Sequence, residues 1–288
     1  MSSSKALKTN DENNEKMGVG PIMSLARLLF CVPLLTAPLL HAFAKLTPET
    51  ASAFDRYVEL TDAKLNSDVQ AGHFLRVAAT PEVKTKLRGG ELRIEPGGTS
   101  DQSKVPGGMI QDWRGAIFIP NAAIADVKAV LQDYENYKVF YKPEVIESKV
   151  TAHQGDDYDI FLRLYKKHML TVVLNSNYHV RYSMAGPRRM SVTSRSTRIA
   201  EVKDAMHPDT SEEPIGNDGG YLWRLKSYWR FEEADGGVYA ECQAISLSRD
   251  VPLGLGWMIK GFLEKFPKES MINTLQGTKA AVAKQRAH

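Results

Sequence analysis

The part of the chain after residue 108 alternates between apolar and polar positions, which is the pattern of strands buried on one face. The connections between the alternating stretches are mostly short, and Gly-Asp at 155–156 and Asp-Gly-Gly at 235–237 are typical of tight turns. Strands joined in this way pair antiparallel. The sequence therefore predicts an antiparallel sheet of seven strands at 109–119, 145–152, 158–165, 169–182, 188–202, 221–232 and 238–249.

Helical periodicity interrupts and then ends this run of strands. After the first strand, AAIADVKAVLQDY has one apolar face, and Asn121 is suited to cap it. Near the end of the chain, Pro267 is expected to end one helix and start another. The final helix has an apolar stripe formed by Met271, Leu275, Thr278 and Val282. Because a curved sheet with one apolar face needs a cover, we predict an α+β fold in which the C-terminal helix packs into the sheet.

A different pattern precedes the sheet. Thr47-Pro48-Glu49 combines a hydroxyl cap, a proline and an acid, and it predicts a helix that extends to about residue 67. Residues 73–79 and 91–96 could be strands, with Thr80 starting a short helical turn between them. Residues 97–108 are rich in Gly, Ser and Pro. We therefore predict an N-terminal appendage and linker at 45–108 and a main domain at 109–288.

An apolar run at 28–40 begins directly after Arg27. A membrane-spanning helix needs about 20 apolar residues, so this run is too short to span and has the length of the apolar region of a signal peptide. The triplet AFA at 42–44 fits the small-x-small pattern of a cleavage site, which predicts a cut before Lys45. An alternative is a short anchor that stays in the membrane.

Residues 1–44 are accordingly interpreted as a signal peptide, and Met17 and Met23 are both plausible true starts. Cys31 follows the bulky Phe30, so it is interpreted as an ordinary apolar residue of the leader and not as a lipidation site. The expected product is an exported protein, periplasmic or secreted, with no stable membrane span once the leader is removed.

Composition excludes several classes of function. The chain has 288 residues, of which 37 are Lys or Arg and 34 are Asp or Glu, and no block of basic residues suggests a nucleic-acid partner. Cys242 is the one cysteine left after the leader, so no internal disulfide is expected. The motifs HExxH, CxxC and GxSxG are absent, and the scattered histidines predict neither a metal site nor a cofactor.

Three stretches resemble the SRPBCC superfamily of START-like, Bet v 1-like and polyketide-cyclase-like proteins. They are GYLWRLKSYWRF at 220–231, GVYAECQAISLSRDVP at 237–252, and the closing helix through FPKES at 266–270 and Thr274-Leu275. The resemblance covers about residues 109–285 and is greatest to uncharacterised exported bacterial members. It implies the helix-grip fold, a seven-stranded antiparallel sheet wrapped around the C-terminal helix. It also implies an apolar cavity between the sheet and the helix, without choosing among lipid carriers, cyclases and plain binders.

The strand predicted at 221–232 supplies the first cavity candidates. Its alternation places five apolar side chains on one face: Tyr221, Trp223, Leu225, Trp229 and Phe231. The closing helix adds Phe262, Phe266 and Leu275. These side chains could form either a solid core or the wall of a cavity, and the pattern leaves both interpretations open.

Two polar candidates depend on which face of a strand points inward. In the strand at 238–249, either the small residues around Cys242 face the helix or Glu241 does, and an inward Glu241 would need an arginine partner. In the strand at 188–202, Arg198 shares its parity with Met190 and Val192, so it is the best cavity cation unless a β-bulge reverses the alternation. A position of Arg198 on the surface or rim is the alternative.

Three functions are compatible with these features. The first is an exported protein that binds a small apolar or amphipathic molecule, for example a lipid, in a closed cavity. The second is an enzyme of the cyclase or hydrolase type that uses a cavity Glu or His as general acid and base. The third is an interaction module whose residues 45–108 dock on a partner or cover the cavity, although no protein partner can be named from the sequence.

Overall fold

The computed structural model describes residues 44–98, 102–167, 170–250 and 256–287. The apolar run at 28–40 lies outside this part of the chain. The helices are α1 (Pro48–Gln70), α2 (Pro81–Arg88), α3 (Ile124–Gln132), α4 (Tyr137–Phe140) and α5 (Gly256–Gln285), with a 3₁₀ turn at Tyr134–Asn136. The strands are β1 (Ala44–Lys45), β2 (Arg93–Pro96), β3 (Gln102–Val105), β4 (Gly108–Pro120), β5 (Val145–Gln154), β6 (Asp157–Lys167), β7 (Thr171–Met184), β8 (Arg189–Glu201), β9 (Asn217–Asp218), β10 (Arg224–Ala234) and β11 (Gly237–Arg249).

Seven long strands form one antiparallel sheet in the order β4-β11-β10-β8-β7-β6-β5. The short strands β2 and β3 both pair with β4, and β1 pairs separately with β9. The turn between β10 and β11 is a two-residue hairpin in which Asp235 and Gly236 both have positive φ. This backbone conformation favours the Asp-Gly pair that marked the turn in the sequence.

The C-terminal helix α5 packs along one face of this sheet, which we call the inner face. At Gly115 of β4, a Cβ atom would lie 2.5 Å from Leu275 Cδ1 and 2.6 Å from Ile94 Cδ1. The missing side chain therefore allows the helix to approach the strand closely. The molecule is thus a helix-grip α+β fold, as predicted.

The N-terminal segment covers the opposite, outer face of the sheet. Phe54, Val58 and Leu65 of α1 form a buried cluster with Tyr228, Ile245 and Leu247 of the sheet. Leu87 of α2 belongs to a second cluster on the same face, with Phe118 and Tyr239. Residues 48–88, which contain α1 and α2, are consequently a third layer of the fold on the face that does not contact α5, whereas β2 extends the sheet itself.

Glu241 fixes the connection between α1 and α2 to this outer face. Its carboxylate accepts backbone N–H bonds from Arg76 at 2.9 and 3.0 Å, Val77 at 2.6 Å and Ala78 at 3.4 Å. Burial raises the pKa of Glu241, and these N–H groups oppose the increase. Close by, the Arg230 guanidinium donates to the carbonyl oxygens of Phe74 and Leu65.

Three local predictions are wrong. Residues 73–79 do not form a strand, because their N–H groups bond to the Glu241 carboxylate instead of to a neighbouring strand. Asn121 adopts a positive φ and does not cap α3, whose cap residue is Ala123 with its N–H bonded to Asp126. Pro267 lies inside the continuous helix α5 and does not divide it.

We expect Glu241→Ala to lower the free energy of unfolding by about 2–4 kcal/mol, because it leaves buried N–H groups of residues 76–78 without an acceptor. Urea denaturation of the purified protein measures this loss. Glu59→Ala is the matched control, since Glu59 is exposed on α1, and its effect should stay within about 0.5 kcal/mol. A loss below about 1 kcal/mol in Glu241→Ala would show that the carboxylate does not hold the segment.

Candidate functional site

A cavity of about 270 Å³ lies between the inner face of the sheet and the helices α3, α4 and α5. Its lining is mainly aromatic and aliphatic. The aromatic members are Trp113, Tyr134, Tyr137, Tyr141, Tyr165, Tyr178, Tyr182, Tyr221, Trp229 and Phe266. A concave, largely apolar space with a few polar groups is the usual form of a small-molecule site.

The cavity exists because small side chains cross the middle of the sheet. Trp113 pairs with Ala244, Ala244 with Ser227, and Ser227 with Ser194, so three adjacent strands present small residues at the same level. All four residues line the cavity. We call Ala244, Ser227 and Ser194 the small row, and Trp113 lies at its edge. Because their side chains are short, they do not reach α5, and space remains between the sheet and the helix.

Two levels further along the strands, large side chains fill the same interval. Ile117, Ala240, Phe231 and Met190 are paired across β4, β11, β10 and β8, and each is at most 3% exposed. They belong to the packed cluster that also contains Leu275 of α5. The inner face is therefore solid core at one end and hollow in the middle.

Tyrosine hydroxyls form a linked group at the side of the cavity near α3. The Tyr182 hydroxyl donates to the Leu131 carbonyl oxygen at 2.7 Å, so the Tyr134 hydroxyl, 2.7 Å away, donates to Tyr182. Tyr137 also donates to Leu131, at 2.6 Å. Burial raises the pKa of Tyr134, Tyr137 and Tyr182, which keeps all three hydroxyls neutral.

Two charged residues are found among the described lining residues, and they neutralise each other. Lys166 Nζ lies 2.9 Å from Glu144 Oε1 and 3.5 Å from Glu269 Oε2. The same Glu144 oxygen accepts a 2.7 Å bond from Asn273 Nδ2 of α5. Lys166 is also 4.8 Å from the ring centre of Phe266. The pair thus ties the sheet to α5.

The structure brings four of the sequence candidates together around the cavity: Tyr221, Leu225, Trp229 and Phe266. Phe231 and Leu275 lie instead in the packed core beside it. The side chain of Phe262 is outside the described residues. That any of these side chains binds a ligand stays a prediction.

Trp223 lies away from the cavity, on the outer side. β10 begins only at Arg224, so the alternation of the strand does not extend back to Trp223. Its indole donates to Asp218 Oδ1 at 2.8 Å, and its ring packs with Phe54 and Val58 of α1. The sequence pattern placed it on the inner face because it assumed a regular strand from residue 221.

Arg198 also points away from the cavity. The pairing of β7 with β8 shifts between Asn177–Arg198 and Tyr178–Ser196, which is a β-bulge. The bulge reverses the alternation, so Ser196 accepts a bond from the Leu225 N–H while Arg198 pairs with Glu212 and lies opposite Asn177. The expected cavity cation is therefore part of an outer ion pair.

The small residues of β11 face inward and Glu241 faces outward, which is one of the two arrangements that the sequence left open. Cys242, Ala244, Ser246 and Ser248 line the cavity, whereas Glu241 faces the N-terminal segment and is bound by backbone N–H groups. Cys242 is 3% exposed, and burial raises the pKa of its thiol. Within the described residues, Glu241 has no place in the cavity.

Sequence reasoning missed the wall formed by β7. Val172, Leu174, Tyr178, Val180 and Tyr182 line the cavity from this strand. They share one parity in the sequence, so the same alternation that selected residues 221–231 could have found them. Trp113 could also have been found, since it shares the parity of Ile117 and Ile119 on β4.

Other kinds of site are absent from the described residues. No group of three or more His, Cys, Asp and Glu side chains converges there. None of the helices in the described ranges has both the length and the apolar character required to cross a membrane.

Comparisons with known proteins give the following likenesses. No family model matches the chain, and no curated protein matches it. A STAR-related lipid transfer protein from Xanthomonas axonopodis is 18% identical over 64% of this chain and 99% of its own, with a TM-score of 0.45. The Zhui aromatase/cyclase from Streptomyces sp. R1128 is 12% identical over 62% and 96%, with a TM-score of 0.43. Human STARD10 is 11% identical over 73% and 83%, with a TM-score of 0.41.

These likenesses concern the fold alone. The strand order, the helix α5 on the inner face and the position of the cavity are those of a helix-grip fold. Its function has to be argued from its own residues.

The loop before β10, which carries the cavity residues Tyr221 and Leu222, is held by two buried acids. Glu201 accepts the N–H bonds of Gly219 and Tyr221, at 2.8 and 3.0 Å. Asp218 accepts the N–H of Gly220 and the indole N–H of Trp223. Burial raises the pKa of Glu201 from 4.5 to about 7, the nearby charge of Asp218 adds to the increase, and the backbone N–H groups oppose it.

We expect the free energy of unfolding to rise as the pH falls from 8 to 5. Folded Glu201 takes up a proton near pH 7, whereas the unfolded chain does so near 4.5, so the folded state binds more protons between these values. The penalty of a buried charge is complete above pH 7 and is removed on acidification. Glu201→Gln should reduce the difference between pH 5 and pH 8 by about 2–3 kcal/mol, measured by urea denaturation at both values.

Glu213→Gln is the matched control, because Glu213 is a half-buried carboxyl at the start of the same loop. It should leave the pH dependence of wild-type unfolding in place. An unchanged pH dependence in Glu201→Gln would show that Glu201 titrates near its ordinary value.

Proposed function

We propose that this chain is an exported binding protein that holds a small apolar or amphipathic molecule in the cavity under α5. The observation that supports this most directly is the small row, Ala244, Ser227 and Ser194 beside Trp113, which leaves an aromatic-lined space in an otherwise packed inner face. A cavity of about 270 Å³ is close to the lower end of the roughly 300–1,000 Å³ range of small-molecule pockets, which favours a compact or single-chain ligand.

The catalytic alternative has less support from the cavity. A general acid or base needs a titratable side chain aimed at the substrate. The described lining includes no histidine, and its carboxylate, Glu144, accepts bonds from Lys166 and Asn273. The hydroxyls of Tyr134, Tyr137 and Tyr182 are bonded to one another and to the backbone. Binding without chemical conversion therefore fits these residues best.

The interaction-module alternative also has less support. The apolar faces of α1 and α2 are buried against the outer face of the sheet, so they are not available for another protein. The N-terminal segment acts here as a structural layer. We therefore place the function of the chain in the cavity.

We expect Ser227→Leu to prevent binding of the neutral fluorescent probe N-phenyl-1-naphthylamine without destabilising the protein. The leucine would occupy the space above the small row, where it buries apolar surface that is now unfilled. Fluorescence titration gives the binding, and urea denaturation gives the free energy of unfolding, which should be unchanged or higher by about 1 kcal/mol.

Ser183→Leu is the matched control, because Ser183 is exposed on β7. It should bind the probe like the wild type. If the inner face were solid at Ser227, overpacking would cost about 1–3 kcal/mol and the wild type would not bind the probe.

If the wild type binds the probe, mass spectrometry of organic extracts of the protein purified from its native host would identify its natural ligand.

Export is the second part of the proposal, and its test is the mature N-terminus. A cut before Lys45 removes Ala44, one of the two residues of β1, and keeps the pairing of Lys45 with Asn217 and the Thr47 cap of α1. Intact-mass analysis of the protein from its native host should give a chain that begins at Lys45. A full-length mass in a soluble cytoplasmic fraction would contradict export and leave the binding proposal unaffected.

A further inference from the structure

The cavity lining contains buried hydrogen-bond donors without a partner among the described residues, and Trp113 Nε1 is the one that can only donate. Trp113 lines the cavity and is 8% exposed, and its Nε1 atom is buried without a hydrogen-bond partner among the described residues. An indole N–H can only donate, and a buried donor left unsatisfied costs about 1–3 kcal/mol. Buried Trp side chains usually find an acceptor, so an acceptor supplied by a ligand is the direct explanation for this one.

Other polar groups of the lining can assist an acceptor near Trp113. Ser227 and Ser194 belong to the same row across the sheet and present hydroxyl groups to the cavity. Ser270 of α5 also lines the cavity, and its buried Oγ has no partner within the described ranges. These hydroxyls can donate as well as accept, so they extend the polar strip that begins at Trp113.

The charge of the lining argues against an ionic ligand. Lys166 is within 4 Å of two carboxylates, Glu144 and Glu269, and Arg198 is outside the cavity in a pair with Glu212. Neither cation is available to a ligand acid without breaking an existing ion pair. An unpaired charge in this apolar space would lose its hydration and gain no compensating interaction.

On the basis of the proposed binding function, we propose that the ligand is an uncharged apolar molecule with a carbonyl oxygen, a ketone or an ester. Its carbonyl oxygen accepts a hydrogen bond from Trp113 Nε1, and its apolar body lies among the aromatic side chains around Trp229 and Tyr178. A carbonyl fits the donor-only indole better than a hydroxyl does, because it brings no further donor that needs a partner.

Three compounds of similar shape test this proposal: tetralin, 1-tetralone and 1,2,3,4-tetrahydro-1-naphthoate. Each displaces N-phenyl-1-naphthylamine in a competition titration, which gives its Kd. For Trp113→Phe we expect the Kd of 1-tetralone to rise about 3- to 10-fold and that of tetralin to change less than about twofold, as one lost hydrogen bond requires. The wild type should bind the carboxylate at least about 10-fold more weakly than the ketone.

Tyr239→Phe is the matched control, since it removes an aromatic side chain's donor that bonds to Asp235 on the outer face, away from the cavity, and both Kd values should stay unchanged. In ¹⁵N-labelled wild type, 1-tetralone should shift the indole N–H resonance of Trp113 downfield and tetralin should not, a measurement that does not depend on the folding of a variant. Equal effects of Trp113→Phe on ketone and hydrocarbon, or tighter binding of the carboxylate, would overturn the proposal. Absence of binding by all three compounds and the probe would instead overturn the binding function itself.

Discussion

The space between the sheet and α5 depends on three short side chains in the centre of the inner face. Ala244, Ser227 and Ser194 lie side by side on β11, β10 and β8, and none of them reaches the helix. The levels on either side carry larger residues such as Trp229 and Leu225. The side chains around this space of about 270 Å³ lack the packing contacts of the core beside it, which lowers the free energy of unfolding. Filling it with a ligand would recover part of that free energy, so stability and occupancy are linked.

The outer face provides the rigidity that the hollow inner face lacks. A sheet with a cavity on one side has lost part of the packing that normally fixes its curvature. Here α1 and α2 pack on the other side, and Glu241 and Arg230 bind the backbone of the connecting segment directly. The charged residues of β10 and β11 that alternate with the cavity residues are therefore structural. Through contacts on the outer face, they fix the strands that carry Ser227, Cys242 and Ala244.

The sequence was sufficient to predict the strands, because the alternation of apolar and polar residues and the turn residues are local signals. It predicted all seven long strands, the cover helix and the inward position of the small face of β11 as one of two options. It could not place Arg198, because the bulge beside Ser196 reverses the parity and has no local signature such as a glycine. It misplaced Trp223 because the strand begins at Arg224, three residues later than the predicted start at Tyr221. It required an arginine partner for Glu241 only if that side chain pointed inward; Glu241 points outward and binds backbone N–H groups of a distant segment, a contact that only the tertiary fold creates.

The polar groups around the cavity are of two kinds: some have a hydrogen-bond partner inside the protein, and some do not. The second kind indicates what the cavity binds. Most are satisfied within the protein: Glu144 by Lys166 and Asn273, Tyr182 by Leu131, and Glu201 by the loop that carries Tyr221. These bonds fix the walls and bring no net charge into the cavity. The indole N–H of Trp113 and the hydroxyls of Tyr178 and Ser270 are different, because within the described chain they are buried, line the cavity and have no partner. A packed scaffold would gain stability by exchanging Trp113 for an apolar residue of similar size, since the exchange removes an unsatisfied donor. The presence of an indole at the edge of the small row is therefore better explained by what enters the cavity than by what holds the fold together.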